Sequence, residues 1–335
     1  MSFKRFDAED LVVSAEPVST PVWSTGDPIL DTFFTSSVQA GLETGKFYLD
    51  VYQTGSTSTD AAVQFAIAYG DALGSGSAPY NSGVTGKSPT STIYGQYRSL
   101  VLGDEESSFN FGGTVSDYFY AIAIDRDRFK ESLLPGSFNL HLSGSGAAKL
   151  HLTDNSLDVA SISYNDAGRV FQIISGSNGS AYSGNGYSPA SGSYGLFLPD
   201  VGILLLNGEA LDESFVNGGI ALSTTRGATA GANPAKLFTM INRAGYFQLN
   251  NKETISSQFA FVRVRNSEFN YSTNPSYITG SGDLRITDMV NAPQTYVTTV
   301  GMYNDNNELL AVAKLSRPLL KDFTKEALIR IKLDF

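Results

Sequence analysis

The sequence predicts a mainly β protein, built of antiparallel sandwich-like or barrel-like domains with a few short helices. Apolar and polar residues alternate with a period of two in several segments, and residues 327–335 show this best, with Ile329, Ile331, Leu333 and Phe335 on one side. Turns rich in Gly, Asn, Asp and Ser separate these segments. Long stretches with helical periodicity are rare, so strands are expected to dominate.

Two hairpins are expected. Residues 296–303 and 308–315 flank Asn304-Asp305-Asn306-Asn307, and these residue types tolerate the left-handed backbone of a short turn. Residues 138–142 and 149–153 flank a Ser/Gly turn in the same way. Both pairs of segments are therefore predicted to be antiparallel strands.

One strand and two helices are expected outside these hairpins. Residues 201–206 form a continuous apolar run, which predicts a strand buried on both faces, and Asn207-Gly208 would close it with a tight turn. Asn233-Pro234 predicts the start of a helix that Gly245 ends. Asp125 would cap a second short helix through residues 129–134.

Changes in composition suggest three regions. Residues 1–125 would form an N-terminal β region with an extended N-terminal arm. Residues 126–230 would form a middle β region with Ser/Gly-rich loops. Residues 231–335 would form a C-terminal β domain that contains the hairpin 296–315 and the terminal strand 327–335.

Composition excludes several classes of function. The 335 residues include 33 acidic and 23 basic side chains, so the net charge is -10 and a nucleic-acid partner is not expected. The absence of Cys excludes disulfides, thiolate nucleophiles and Cys-ligated metals. No apolar run reaches the roughly 18 residues of a membrane helix, and the first residues lack the apolar stretch of a signal peptide. Synthesis in the cytosol and no membrane partner are expected.

Few residues form a pattern that indicates catalysis or metal binding. His141 and His151 fall in the two arms of one predicted hairpin, where they would be neighbours on its outer face. A two-histidine metal site is one interpretation, and a pair of solvated strand residues is the favoured one. Asp305 to Glu308 lack the glycine and the spaced glutamate of a calcium loop, so a plain turn is favoured. We expect no catalytic, cofactor-binding or metal-binding residue and no enzymatic activity.

The segment 268–277 places three aromatic residues among Asn and Ser, directly after a strong strand. One interpretation is an extended arm whose aromatic side chains dock on a neighbouring subunit, since Tyr and Phe are favoured at interface cores. The other is a crossover loop that covers the core of this chain, and the general surface placement of loops favours it.

The block 294–315 resembles a hairpin of structural proteins of tailed bacteriophages. It contains Thr298-Thr299-Val300-Gly301-Met302-Tyr303, a polar turn and Leu309-Leu310-Ala311-Val312-Ala313. Tail-fibre attachment and baseplate-associated proteins carry a similar pattern, with Leu where this chain has Met302. Residues 1–13 and 269–280 are similar to virion structural proteins of large contractile-tailed phages, including cyanophage-like myoviruses.

The resemblance implies a non-enzymatic structural subunit of a tailed-phage virion, most simply in the tail or baseplate. Its partners would be copies of itself and other phage structural proteins, and it would reside in the virion after assembly in the host cytoplasm. A receptor-binding or polysaccharide-degrading tail protein, whose two acids need not be close in sequence, is one alternative. A capsid decoration or neck protein is another. The candidate subunit-interface residues are Phe269, Tyr271, Tyr277, Tyr303, Ile329, Ile331, Leu333 and Phe335.

Overall fold

The computed structural model describes residues 4–35, 48–80, 83–84, 86–144, 149–182, 192–227, 231–272 and 274–334. The fold is mainly β, as the sequence predicts, and its largest sheet is antiparallel. The described strands are β1 Leu11–Pro21, β2 Ile29–Leu30, β3 Phe34–Thr35, β4 Tyr48–Tyr52, β5 Val63–Asp71, β6 Phe109–Phe111, β7 Thr114–Ser116, β8 Tyr118–Ile124, β9 Ser132–Leu133, β10 Asn139–Ser143, β11 Lys149–Asp154, β12 Ser163–Asn165, β13 Gly168–Ser177, β14 Ser180–Ala181, β15 Gly195–Leu198, β16 Ile203–Asn207, β17 Phe247–Gln248, β18 Asn250–Val264, β19 Gln294–Tyr303, β20 Leu309–Asp322 and β21 Ala327–Asp334. The described α-helices are α1 Pro89–Leu102, α2 Gly208–Asp212, α3 Ala232–Ala244 and α4 Asp288–Asn291.

The chain divides into two compact units. Unit 1 contains Met1–Pro17 and Thr254–Phe335, and unit 2 contains Val18–Glu253. This division does not follow the three consecutive regions expected from composition. The reason is non-local pairing, because β1 near the N-terminus joins β18 and β21 near the C-terminus in one sheet.

Unit 2 is built on a thirteen-stranded sheet. Its main path runs β2-β17-β10-β11-β13-β15-β16-β8-β5-β4-β3. The strands at the two ends, β2 and β3, are separated in sequence only by residues 31–33. Three residues bridge at most about 14 Å. The sheet must therefore curl until its two ends come close together, as in a barrel.

The strands at the middle of this sheet are buried on both faces. In β8, Tyr120, Ile122 and Ile124 belong to the inner apolar cluster, while Phe119 and Ala121 belong to an outer one. The same holds for β16, whose five residues are all buried. The predicted doubly buried strand is thus confirmed at 203–206, while residues 201–202 lie in the preceding turn. Each fully buried Leu or Phe of this kind contributes about 1.5–3 kcal/mol to stability.

Two helices cover the two faces of the sheet. Helix α3 packs on β10, β5 and β4, which lie far apart along the sheet, so it fills the inner side of the curl. It ends at Gly245, which has a φ of +63°, as predicted, but it begins at Ala232 with Gly231 as its N-cap in place of Asn233. Helix α1 packs on the outer side against β5 and was not predicted. Ser88 caps it by accepting a hydrogen bond from the backbone N–H of Ser91, and Pro89 is its first residue.

Two local predictions in unit 2 are wrong. Asp125 does cap a turn, but only the 3-10 turn Arg126–Arg128 follows it, and β9 then pairs with Asn251–Lys252 in place of a helix. Tertiary pairing overrides the helical pattern there. Asn207 does not close a tight hairpin turn, because its side chain accepts from the N–H of Glu209 and caps α2.

Unit 1 contains a sheet of β1, β18 and β21 and the separate hairpin β19–β20. In β21, Ile329 and Ile331 are buried while Arg330 and Lys332 are exposed, which confirms the predicted alternation. The hairpin at residues 296–315 is also confirmed, and its register shifts at two points, between 297 and 299 and between 302 and 303. The side chain of Asn304 accepts from the N–H groups of Asn306 and Glu308, so the predicted polar turn is fastened by an Asn side chain.

Candidate interaction surface

The apolar core of unit 1 is thin. Its central cluster has three buried members, Ala260, Ile329 and Ile331, and the side chains around them are only partly buried. Unit 2, in contrast, has more than thirty residues in its inner cluster alone. A small unit with so little buried apolar surface gains little stability from its own core. Unit 1 therefore has apolar surface to bury against something else.

Hairpin β19–β20 carries much of that exposed apolar surface. Tyr296 is 64% exposed and Leu310 is 68% exposed, and Leu309 and Val312 are also more than half exposed. The opposite faces of the strands hold partly buried residues such as Val300 and Leu315. A two-stranded ribbon with apolar side chains on both faces is marginal alone in water. This hairpin is the largest element of the candidate interaction surface.

The loop 265–272, which we call the aromatic arm, presents two exposed aromatic side chains. Phe269 is 41% exposed and Tyr271 is 59% exposed, while Asn270 between them is buried at 4%. Tyr277, the third aromatic residue of the predicted segment, is half-buried, whereas the rings of Phe269 and Tyr271 reach solvent. Their exposure is what an arm that docks on a neighbour needs, and the docking itself stays a prediction.

A buried lysine fastens the aromatic arm. Lys321, on β20, is 0% exposed. Its Nζ donates to the backbone oxygen of Asn266 at 2.9 Å, to Oδ1 of Asn270 at 2.7 Å and to the backbone oxygen of Asp322 at 2.9 Å. These three neutral oxygens satisfy all three donors of the ammonium. Lys321 thereby holds the turn of the arm in one geometry from inside.

The backbone of the arm is also strained. Phe269 has a φ of +54°, a conformation that is an outlier for a bulky residue and costs on the order of 1–3 kcal/mol. It is held there because its carbonyl accepts a hydrogen bond of 2.6 Å from the hydroxyl of Thr295, next to the anchored Asn270. The surroundings thus fix the direction in which the Phe269 ring points.

The arm forms one wall of a groove of about 1230 Å³ in unit 1. The other walls are residues 4–6, the end of β18 and the strand β19 with its turn. Lys4 lies 3.2 Å from Glu268 at the rim. The pKa of Glu268 is lowered, mainly by a hydrogen bond from the N–H of Arg265 and also by Lys4. This exposed pair contributes little to stability, since surface ion pairs are worth about 0–1 kcal/mol.

The remaining sequence-predicted interface residues differ in their surroundings. Tyr303 is 40% exposed and lies on the groove, and Tyr277 is half-buried. Ile329 and Ile331 are buried in unit 1's own cluster, with Leu333 packed beside them, so these side chains are not available to a neighbour. Their alternation signalled a core face, and only the backbone edge of β21 is left for pairing. Phe335 lies outside the described residues.

The histidine pair forms a ring stack. His141 and His151 are directly paired across β10 and β11, and their ring centroids lie 3.8 Å apart with planes 14° apart. Tyr246 stacks on the other face of His141 at 4.1 Å. Parallel rings direct their nitrogen lone pairs along parallel lines, so this geometry does not converge on one metal ion. Within the described ranges, no group of three or more His, Cys, Asp or Glu side chains is placed to hold a metal.

A second polar cluster, in unit 2, was not found from the sequence. The guanidinium of Arg226 lies 3.7 Å from the ring centroid of Tyr118 and 3.1 Å from Oδ2 of Asp212. The Tyr118 hydroxyl donates to the same carboxylate at 2.9 Å. Burial, and then the hydrogen bond to Asp212, raises the pKa of Tyr118. One cation and one carboxylate neutralise each other here, with Tyr120 buried beside them. The cluster links β8 to α2 and to the segment that follows α2. It could not be recognised from the sequence, because Tyr118, Asp212 and Arg226 are far apart along the chain.

Comparison with known proteins adds no relative. No protein-family model, no curated protein and no solved structure matches the chain. Among the helices of the described residues, none is long and apolar enough to cross a membrane.

Proposed function

We propose that this chain is a non-enzymatic structural subunit of a tailed-phage virion, in the tail or baseplate, and that unit 1 is its assembly module. The observation that carries the proposal is the contrast between the units: unit 2 has a large filled core, whereas unit 1 keeps the apolar side chains of its hairpin and aromatic arm in solvent. A subunit that must stay soluble and then assemble needs both a stable body and a surface of this kind. The net charge of -10 keeps free copies apart before assembly.

The exposed side chains are of the types that stabilise protein interfaces. Tyr and Phe are enriched at protein interfaces while Lys and Glu are depleted, and Tyr is also among the residues whose truncation most often weakens binding. Tyr296, Phe269 and Tyr271 fit that pattern. Burying apolar area yields about 25 cal/mol per Å² before the costs of ordering are subtracted.

The anchoring of the aromatic arm reduces those ordering costs. Lys321 and Thr295 fix the arm before any partner arrives, so little conformational entropy is lost on docking. The partners we propose are copies of this chain and other structural proteins of the same particle. Many such contacts acting together tolerate a weak individual contact.

Purified particles provide the first test. We expect the protein in density-gradient-purified virions by mass spectrometry, and gold labelling of a tagged copy should place it on the tail or baseplate. A protein that is absent from purified particles would refute the proposal. Labelling on the head or neck would support a structural role in the virion but would contradict the proposed position in the tail or baseplate.

Substitution on the aromatic arm provides the second test. Phe269→Ser and Tyr271→Ser should each lower incorporation into particles, because an exposed aromatic anchor typically contributes more than about 1 kcal/mol to binding. Tyr164→Ser is the matched control, since Tyr164 is 70% exposed but lies on β12 of unit 2. Equal incorporation of all three variants would contradict the assignment of the arm as a contact.

A further inference from the structure

An ordered turn of unit 2 holds two apolar side chains in solvent. Residues 213–219, which we call the knob, follow α2 and contain the 3-10 turn Phe215–Asn217. Phe215 is 54% exposed, and Val216, at 94%, is the most exposed large apolar side chain of the described residues. Glu213, at the base of the knob, is also exposed and forms no ion pair with a described residue. The tip of the knob is thus apolar and its base is acidic.

Hydrogen bonds fix the shape of the knob. The N–H of Gly219 donates to the backbone oxygen of Ser214 at 2.9 Å. The Tyr194 hydroxyl donates to the backbone oxygen of Gly218 at 2.7 Å. The two apolar side chains are therefore presented by a turn that is already ordered, which lowers the entropic cost of docking.

The groove of unit 1 has features that complement the knob. Its volume of about 1230 Å³ exceeds the roughly 300–1,000 Å³ of typical small-molecule sites, so it has room for a segment of a protein. Phe6, Phe269 and Phe323 line it, and each is more than one-third exposed. Arg5 and Arg263 also line it, and neither forms an ion pair with a described residue. The groove thus presents apolar rings together with two guanidinium groups that are not neutralised.

The distribution of charge favours an acidic occupant for the groove. Its lining has three cations, Lys4, Arg5 and Arg263, against two carboxylates, Asp10 and Asp305. Unit 2 contains 21 acidic and 12 basic residues and carries a net charge of -9, whereas unit 1, with 12 and 11, carries only -1. Complementary potentials steer association and fix the orientation of the partners. Unit 2 of one copy is therefore repelled by unit 2 of another and attracted to the basic groove.

We propose that the knob of one copy inserts into the groove of a second copy, so that copies associate head to tail. This inference rests on the proposed assembly role and names one partner, the chain itself. In this contact Phe215 and Val216 pack against the aromatic walls, and Glu213 pairs with Arg263. A protrusion and a groove at different places on one chain form a heterologous contact, which extends into rings or filaments as copies are added.

Sedimentation of the full chain at increasing concentration is the first measurement. We expect the wild-type chain to grow beyond dimers, because each bound copy still offers a free knob or a free groove. Val216→Ser removes the apolar tip and should weaken association roughly tenfold or more. Leu73→Ser is the matched control, since Leu73 is 71% exposed elsewhere in unit 2, and it should leave association unchanged. A wild-type chain that stays monomeric, or equal association of the two variants, would overturn the proposal.

Charge reversal tests which surfaces meet. Glu213→Arg and Arg263→Glu should each weaken association roughly tenfold, and both changes in one chain should recover most of that loss, because the ion pair re-forms with its charges exchanged. Arg330→Glu is the control, since Arg330 is exposed on β21 outside the groove lining, and it should leave association unchanged. A double variant that associates no better than the single variants would refute the pairing of Glu213 with Arg263.

A mixture of two variants tests the head-to-tail arrangement. Val216→Ser keeps its groove and Arg263→Glu keeps its knob, so at a concentration where neither associates alone the mixture should give one-to-one dimers that grow no further. Absence of these dimers would contradict the heterologous contact. Trp23 fluorescence verifies the fold of unit 2, and far-UV circular dichroism verifies that of the whole chain.

The outcomes separate this contact from the proposed function. If copies do not associate through the knob but virions contain the protein, the proposed function stands without the contact. If copies associate through the knob but virions lack the protein, the contact stands and the proposed function fails.

Discussion

Replacing Lys321 with methionine should loosen the aromatic arm and destabilise unit 1. Three hydrogen bonds from a charged donor, each worth about 1.5–3 kcal/mol, would be lost, for a total of roughly 5–9 kcal/mol. Removing a buried ammonium returns several kcal/mol of desolvation cost, so that the net loss is about 2–4 kcal/mol. Methionine has a similar length and fills most of the space, which keeps the cavity contribution small.

Lys325→Met is the matched control for this prediction. Lys325 lies four residues further along, is 49% exposed and pairs with Asp322 at the surface, so its loss should cost less than about 1 kcal/mol. Urea unfolding followed by far-UV circular dichroism gives the two free energies. Hydrogen exchange of the amides of residues 266–270 should speed up only in Lys321→Met. Equal unfolding free energies for the two variants, with unchanged exchange in the arm, would refute the anchoring role of Lys321.

Two further predictions concern unit 2, and Trp23 fluorescence monitors both. Arg226→Met should lower the free energy of unfolding by about 3–5 kcal/mol, because it leaves the 5% exposed carboxylate of Asp212 without its cation. Adding Asp212→Asn should recover part of that loss, and a double variant that costs as much as both single changes together would contradict the pairing. Stability should also fall as the pH drops from about 6.5 to 4. Burial, and then the neighbouring His151, lowers the pKa of His141 to about 4. Between pH 6.5 and 4, therefore, only the unfolded chain takes up a proton at this residue, and protonation favours unfolding. Replacing both His141 and His151 with Phe should flatten this pH dependence, measured as the urea midpoint at pH 7.5 and pH 5.

Local chemistry explains which elements could be predicted from the sequence. The hairpin at 296–315 follows from a run of four Asn and Asp residues between two β-rich segments, and the turn is closed by Asn304 itself. The alternation in β21 and the apolar run of β16 report burial directly. Each of these signals lies within about twenty residues of the structure that it predicts.

The features that escaped prediction depend on distant partners. Lys321 is buried because Asn266 and Asn270, about fifty residues earlier, supply oxygen acceptors, and no pattern around a lysine reveals that. Helix α1 lies in a Ser/Thr-rich segment with weak helical propensity, and its cap at Ser88 together with packing on β5 decides its structure. The division into two units likewise depends on β1 joining strands from the other end of the chain.

That same joining of β1 to β18 and β21 sets an order of events during synthesis. Residues 1–17 are made before the rest of their unit, which is complete only after the 236 residues of Val18–Glu253 and the segment Thr254–Phe335 have been made. At 5–20 residues per second, the intervening part alone takes roughly 12–50 seconds. The strands of unit 2 are all made by the end of that delay, whereas the sheet of unit 1 must wait for β18 and β21. A nascent chain thus cannot complete the sheet of unit 1 until its C-terminal strands have been synthesised.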